Sequence, residues 1–279
     1  MKATHSSLIG SLHSLALAVL LAVGLAGVVL VGPSPAQTTL PQVDTALVLA
    51  VDVSNSVDER RYNLQLDGIA KALEDPSVIS AILNGPRGAI ILSIVTWSDR
   101  ADVALPWMVI RSTDDAREVA ARVRAIPRLS GEFTCLSRAL EFVNDKVLAQ
   151  VPADALKTVV DVSGDGRDNC NADTSVAAMR DIIVGYGTTI NGLPILEGSE
   201  GATLEQYYTD NVKGGFGSFV LAADGFDDFG RAIRQKFIVE ISAAPSPAPR
   251  GSLAEGPVDV LGIRKPFRFA RVPEPGQAR

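Results

Sequence analysis

The sequence predicts an α/β fold: a doubly wound, mostly parallel sheet with helices on both faces and one antiparallel edge strand. Three observations lead there. Continuous aliphatic runs recur between residues 44 and 243, and such runs suit parallel strands covered on both faces better than strands with one wet face. Segments with helical spacing fall between the runs, which is the alternation of a doubly wound sheet. One stretch, ADVALPWMVI at 101–110, alternates only in part and contains Pro106. A proline is tolerated where its missing N–H faces solvent, so this is the edge strand.

Taken in order, residues 1–36 carry one Lys, an aliphatic run from Leu15 to Val31, and small residues Ser34 and Ala36 ahead of Gln37. That is the layout of a secretory signal peptide; the alternative is an uncleaved anchor helix, since the run could just span a bilayer. Either reading places the rest of the chain outside the cytoplasm, in the periplasm or the extracellular space. Residues 37–43 are a linker, and a single domain follows over 44–243. Its strands are expected at 46–51, 89–97, 101–110, 158–162, 188–195 and 218–222. Ser56 with Glu59 three residues later reads as a capping box, opening a helix in which Tyr62, Leu66, Ile69 and Leu73 share one face. Further helices are expected over 114–125, 135–149, 175–185, 204–212 and 226–241, the last with Asp224 as its N-cap. Residues 244–279 are rich in Pro, Ala and Arg without periodicity and are expected to be disordered. Arg250, Arg264, Lys265, Arg268, Arg271 and Arg279 give this tail at most a weak attraction to an anionic envelope surface.

Composition removes several function classes. The formal charge is -6 and no basic stripe is visible, so nothing argues for nucleic acid. Both histidines, His5 and His13, lie in the signal segment. The processed chain therefore has no imidazole for a Ser-His-acid triad, a Cys-His pair or a histidine-bearing zinc site. The two cysteines, Cys135 and Cys170, are expected to form a disulfide in an oxidising compartment, the alternative being two separate buried thiols.

One feature of the strands calls for an explanation. ALVLAVDVSNSVDER at 46–60 ends an apolar strand in Asp52, Ser54 and Ser56, and VDVSGDG at 160–166 does much the same with Asp165. Ligands of doubly wound sheets bind beyond the carboxyl ends of strands, where the strand order reverses. If these two strands are neighbours there, two carboxylates and several neutral oxygens converge without nitrogen or sulfur donors. Such a set suits a hard cation, Mg²⁺ or Mn²⁺.

The run Asp52-Val53-Ser54-Asn55-Ser56 resembles the metal-ion-dependent adhesion site of von Willebrand factor type A domains. Thr134, in SGEFTCLSRALEFV, and Asp165, in VVDVSGDGRDN, follow in that family's order. The resemblance implies a metal set of Asp52, Ser54, Ser56, Thr134 and Asp165, with the hydroxyls on the ion and the two acids acting largely through water. VDVSNSVDERRYNLQLDGIAKAL, TINGLPIL and the stretch from Tyr207 to Ile241 are similar to a bacterial group of exported type A domain proteins without an assigned function.

What the resemblance implies for function is a binding module rather than an enzyme, one that captures an Asp or Glu carboxylate of a protein partner through the ion. Two other readings stay open: a metal-assisted hydrolase with Asp165 or Asp161 as base, and an ion that only rigidifies the loops. Individual residues have plainer roles as well. Thr134 could cap its helix, Asp161 reads as a hydrogen-bonded structural acid, and Asp168 and Asn169 shape the turn after Asp165 or reach the rim of the site. Trp97 and Trp107 read as packing residues.

Overall fold

The computed structural model describes residues 39–129 and 131–243; the expected signal peptide and C-terminal tail lie outside the described residues. The sheet is built from β1 (Gln42–Asp52), β2 (Ile90–Trp97), β3 (Ala101–Ile110), β4 (Asp154–Gly164) and β5 (Thr189–Pro194), in the order β3-β2-β1-β4-β5. β1 runs parallel to β2 and to β4, β4 runs parallel to β5, and β3 alone is antiparallel, against β2. β1 is buried from Val43 to Asp52 and β2 along its whole length. Their unbroken apolar runs follow from cover on both faces. The helices supplying it are α1 (Glu59–Glu74), α2 (Pro76–Leu83), α3 (Thr113–Arg124), α4 (Leu136–Phe142), α5 (Val176–Gly185), α6 (Gly201–Tyr207) and α7 (Phe229–Ser242).

Two apolar layers result. On one face Leu47, Leu49, Val51 and Ile94 pack against α1, α2, α3 and α7. On the other, Val48, Ala50, Val160 and Val162 pack against α4, α5 and α6. The four apolar residues expected on α1 are all buried, at 3% exposure or less. α1 and α7 meet at Gly68 and Gly230, where a side chain at 68 would come within 3.1 Å of the Gly230 Cα. α3 begins as its sequence suggests, with the Ser112 hydroxyl accepting from Asp115 N–H, and Ser175 caps α5 in the same manner.

Several expectations need correction. The cap of α1 is Asp58, whose carboxylate accepts from Arg61 N–H, so Ser56 lies ahead of the helix in the turn. Helix α2 has no counterpart in the sequence reading; Asp75 caps it and Pro76 occupies its first turn. The helix expected over 135–149 is α only to Phe142, then continues as a π turn, Val143–Val147, and a 3₁₀ turn, Leu148–Gln150. Similarly, α6 passes into a π turn at Tyr208–Val212. Asp224 does not cap the last helix: its own N–H donates to Asp228, and a 3₁₀ turn, Phe226–Asp228, precedes α7.

The strand expected at 218–222 is an interrupted one. Gly192 N–H donates to Phe219 O, Leu221 N–H to Gly192 O, Ala223 N–H to Pro194 O and Leu196 N–H to Ala223 O. This is a parallel ladder along β5 with one rung missing. The missing donor is Pro194, which has no N–H to give.

Candidate metal centre

The crest between β1 and β4 is where the strand order reverses, with β2 on one side of β1 and β4 on the other. Asp52 is the last residue of β1, and Asp165 follows the last residue of β4. Asp52 is fully buried and its Oδ1 accepts from Ser54 N–H at 2.8 Å, which folds the chain back immediately after the strand. Ser54 Oγ then lies 3.3 Å from Ser56 Oγ, and Ser56 Oγ donates to Asp165 Oδ1 at 2.7 Å. Thr134 Oγ1 donates to Ser54 Oγ at 3.4 Å. The structure thus brings all five sequence-singled oxygens, from three separate loops, into one connected group. Thr134 is not a cap: Cys135 occupies that position and makes no side-chain bond there.

The Thr134 loop is held by Asp99, which the sequence did not single out, and by Asp168 and Asn169, which reach beyond their own turn to bond the Thr134 loop and the start of α4. Asp99, just past β2, accepts from Glu132 N–H and Phe133 N–H at 3.1 and 2.6 Å. Asn169 Oδ1 accepts from Thr134 N–H at 2.8 Å, while Asn169 N–H donates to Thr134 O at 3.0 Å. Asp168 accepts from both the N–H and the hydroxyl of Ser137. Asp168 and Asn169 therefore tie the loop after β4 to the start of α4. A disulfide between Cys135 and Cys170, with Cα atoms 5.1 Å apart, closes the same junction.

Burial sets the electrostatics of this group. Asp52 Oδ2 is buried without a hydrogen-bond partner. Burial, reinforced by Asp165, pushes the Asp52 carboxyl up to about 7, and burial also raises that of Asp165. An orphaned carboxylate oxygen in such a place costs on the order of a few kcal/mol unless a cation faces it. Beside it, the Tyr208 hydroxyl is likewise buried and unpartnered. Gly164 keeps the space open: a Cβ there would lie 2.8 Å from Asp52 Oδ2 and 2.9 Å from the Tyr208 oxygen. No three His, Cys, Asp or Glu side chains cluster to hold a metal among the described residues. Two carboxylates and three hydroxyls form the candidate set instead, a composition that fits Mg²⁺ with retained water and fits soft metals poorly.

Outside this group a cavity of about 250 Å³ opens, lined by Ser56, Thr134, Asp165, Arg61, Arg167 and Glu197 among others. Arg61 pairs with Glu197 at 2.6 Å, donates to Ser56 O, and lies over the Phe226 ring. It fixes the Ser56 turn from within the cavity lining.

A sequence profile of the family described as "Protein of unknown function (DUF1194)" matches residues 42–245. The chain belongs to DUF1194. No curated protein matches this DUF1194 chain. Solved structures do resemble it. Proximal thread matrix protein 1 from the mussel byssus, in a form with a zinc-occupied MIDAS motif, is 16% identical over 73% of this chain and 49% of its own, with a TM-score of 0.52. A von Willebrand factor type A protein from Catenulispora acidiphila is 16% identical over 72% of this chain and 43% of its own, TM-score 0.50. The vWF domain of the type V pili tip protein Mfa5 from Porphyromonas gingivalis is 10% identical over 74% of this chain and 99% of its own, TM-score 0.50. The DUF1194 chain thus spans about half the length of the mussel protein. Its fold is that of a von Willebrand factor type A domain.

Proposed function

We propose that this DUF1194 chain is an exported, metal-dependent protein-binding module. Asp52, Ser54, Ser56, Thr134 and Asp165 hold Mg²⁺ or Mn²⁺, and an Asp or Glu carboxylate of a protein partner supplies the remaining ligand. The observation that supports this most is the connected set of five oxygens around the orphaned Asp52 Oδ2. With about two negative charges from the protein, the ion retains affinity for one more anionic oxygen. The crest position supports access by a macromolecule, and Phe133, half exposed beside Thr134, offers an apolar contact next to the ion. No chemical step is assigned to the candidate metal centre.

The test has two stages. Thermal melts across Mg²⁺, Mn²⁺ and Zn²⁺ series should show stabilisation of the wild type by Mg²⁺ or Mn²⁺, on the order of 1–3 kcal/mol at saturation, and none in Asp52→Ala. Stabilisation by Zn²⁺ alone, or equal responses in both proteins, would refute the site. A partner is then captured from an envelope fraction with Mg²⁺ or EDTA and measured by surface plasmon resonance. Thr134→Ala removes one neutral donor and should weaken binding at least about tenfold, near 1.4 kcal/mol. Equal affinity for wild type, Thr134→Ala and EDTA-treated protein would place recognition elsewhere. Turnover of a phosphoester substrate would favour the hydrolase instead.

A further inference from the structure

On the α7 side of the sheet lies a second polar group, separate from the crest. Asp161 on β4, Asn191 on β5, and Lys236 and Glu240 on α7 are each 2% exposed or less. Lys236 Nζ is 3.2 Å from Asp161 Oδ1 and 3.0 Å from Glu240 Oε1. Asn191 Nδ2 donates to that same Glu240 oxygen at 2.8 Å, and Phe219 N–H donates to Asn191 Oδ1 at 2.9 Å. The Phe219 ring covers the amine, with Nζ 4.3 Å from its centre. These approaches are close yet undirected: neither Asp161 oxygen nor Lys236 Nζ has hydrogen-bond geometry to any partner.

As an ordinary salt bridge the arrangement is poor. Each buried ion loses several kcal/mol of hydration, recovered only with good geometry and full hydrogen bonding. Two carboxylates also face one ammonium, so one negative charge is left over. Burial and the neighbouring Glu240 push the Asp161 carboxyl well above the usual carboxylate range, a direction that favours its protonated form, while burial of the Lys236 ammonium is outweighed by Asp161 and Glu240, which raise it above the usual lysine value. Two carboxyl groups are held within 3.2 Å of the Lys236 ammonium in a dry site. Fixed proximity of this kind replaces a bimolecular encounter and lowers the barrier to reaction.

We propose that Lys236 and Asp161 condense into an intramolecular amide, assisted by Glu240. The Glu240 carboxylate takes one proton from the Lys236 ammonium. The freed Nζ lone pair forms a bond to Asp161 Cγ. The Cγ–OH bond then breaks, and the hydroxyl leaves as water with a second proton from the nitrogen. Nothing is oxidised or reduced. An ammonium, a carboxylic acid and a carboxylate become an amide, a water and one neutral acid, so the site ends without charge. Asn191 holds Glu240 in place through its amide. The product staples α7 to β4 across the face of the sheet.

Mass decides the matter. The full chain is purified, reduced and alkylated, its N-terminus assigned, and its intact mass and peptide map recorded beside Lys236→Arg and Glu240→Gln. The wild type should be lighter than its sequence by one water, with Lys236 and Asp161 recovered together in one branched peptide. Lys236→Arg should carry its full sequence mass. Glu240→Gln, close in shape, should keep the wild-type circular dichroism and also carry its full mass. A wild type at full mass, with the two residues in separate peptides, overturns the proposal. Loss of one ammonia with Lys236 joined to Asn191 overturns the choice of Asp161, and a Glu240→Gln chain still lighter by one water removes Glu240 from the reaction.

Discussion

Removing the disulfide should lower stability without dismantling the candidate metal centre. Cys135 and Cys170 are 35 residues apart, and in the chain-entropy treatment a bridge closing a loop of that length contributes about 3–4 kcal/mol by restricting the unfolded chain. For a domain of this size that corresponds to a fall in Tm of roughly 10 °C. The folded junction has other ties. Thr134 N–H to Asn169 Oδ1, Asn169 N–H to Thr134 O, and the two bonds from Ser137 to Asp168 all survive loss of the sulfurs. Mg²⁺ affinity should accordingly change by less than about tenfold, 1.4 kcal/mol. Urea denaturation of the oxidised wild type, the reduced wild type and Cys135→Ala/Cys170→Ala would measure this. The reduced protein loses the bond with no change in packing atoms, so it isolates the cross-link from the cavity left at buried Cys135. The m-value should rise in both altered forms, because the unfolded chain expands. Midpoints that coincide for oxidised and reduced protein would refute the entropic reasoning. Complete loss of the metal response on reduction would show that the hydrogen bonds do not hold the junction alone.

Other outcomes follow from single contacts. An acid whose folded pKa is raised costs stability as pH rises through the interval between its unfolded and folded values, here from 3.8 to about 7 for Asp52. In EDTA, Asp52→Asn should therefore exceed the wild type at pH 8, by up to about 4 kcal/mol, and match it near pH 4; a less stable variant at pH 8 would contradict the burial argument. Gly164→Ala places a methyl 2.8 Å from Asp52 Oδ2 and should destabilise by about 1–3 kcal/mol and abolish the Mg²⁺-dependent rise in Tm. Asn169→Ala frees Thr134 N–H and should cost about 1–2 kcal/mol in urea melts, with a weaker Mg²⁺ response than the double cysteine variant shows.

The sheet was largely legible because β1, β2 and β4 are covered on both faces and so appear as unbroken apolar runs, while β3 announced its edge position through Pro106. What escaped detection were matters decided by a single backbone group. Pro194 sits inside an apolar run, TINGLPIL, and nothing in that run tells which N–H the neighbouring segment would require. Ser56 and Asp58 are both good caps two residues apart, and only the path of the chain after Asp52 selects the second. Asp52, Ser54, Ser56 and Asp165 were readable from two strand ends, whereas Thr134 joined them only through the resemblance to type A domains. Asp99 and Tyr208 were not readable, because each acts through tertiary contact alone. Asp161, expected as a hydrogen-bonded structural acid, lies apart from the crest with neither oxygen hydrogen-bonded, and its ionic companions were missed. Lys236 and Glu240 carry a usable signal: two charged residues four apart on the helical stripe that otherwise holds Ile233 and Phe237.

The central place of β1 has a kinetic consequence. It is the first strand among the described residues, yet half of its ladder is completed by β4, in a register that begins Gln42 against Asp154. Closing a pairing across about 110 residues is slow relative to local contacts. Before it closes, β1 can be paired on one edge by β2 while the backbone N–H and C=O groups of its other edge stay open to any competing strand. That interval is when this chain is most exposed to misassociation, and conditions that shorten it, such as rapid dilution at low protein concentration, should raise the refolding yield more than conditions that strengthen any helix.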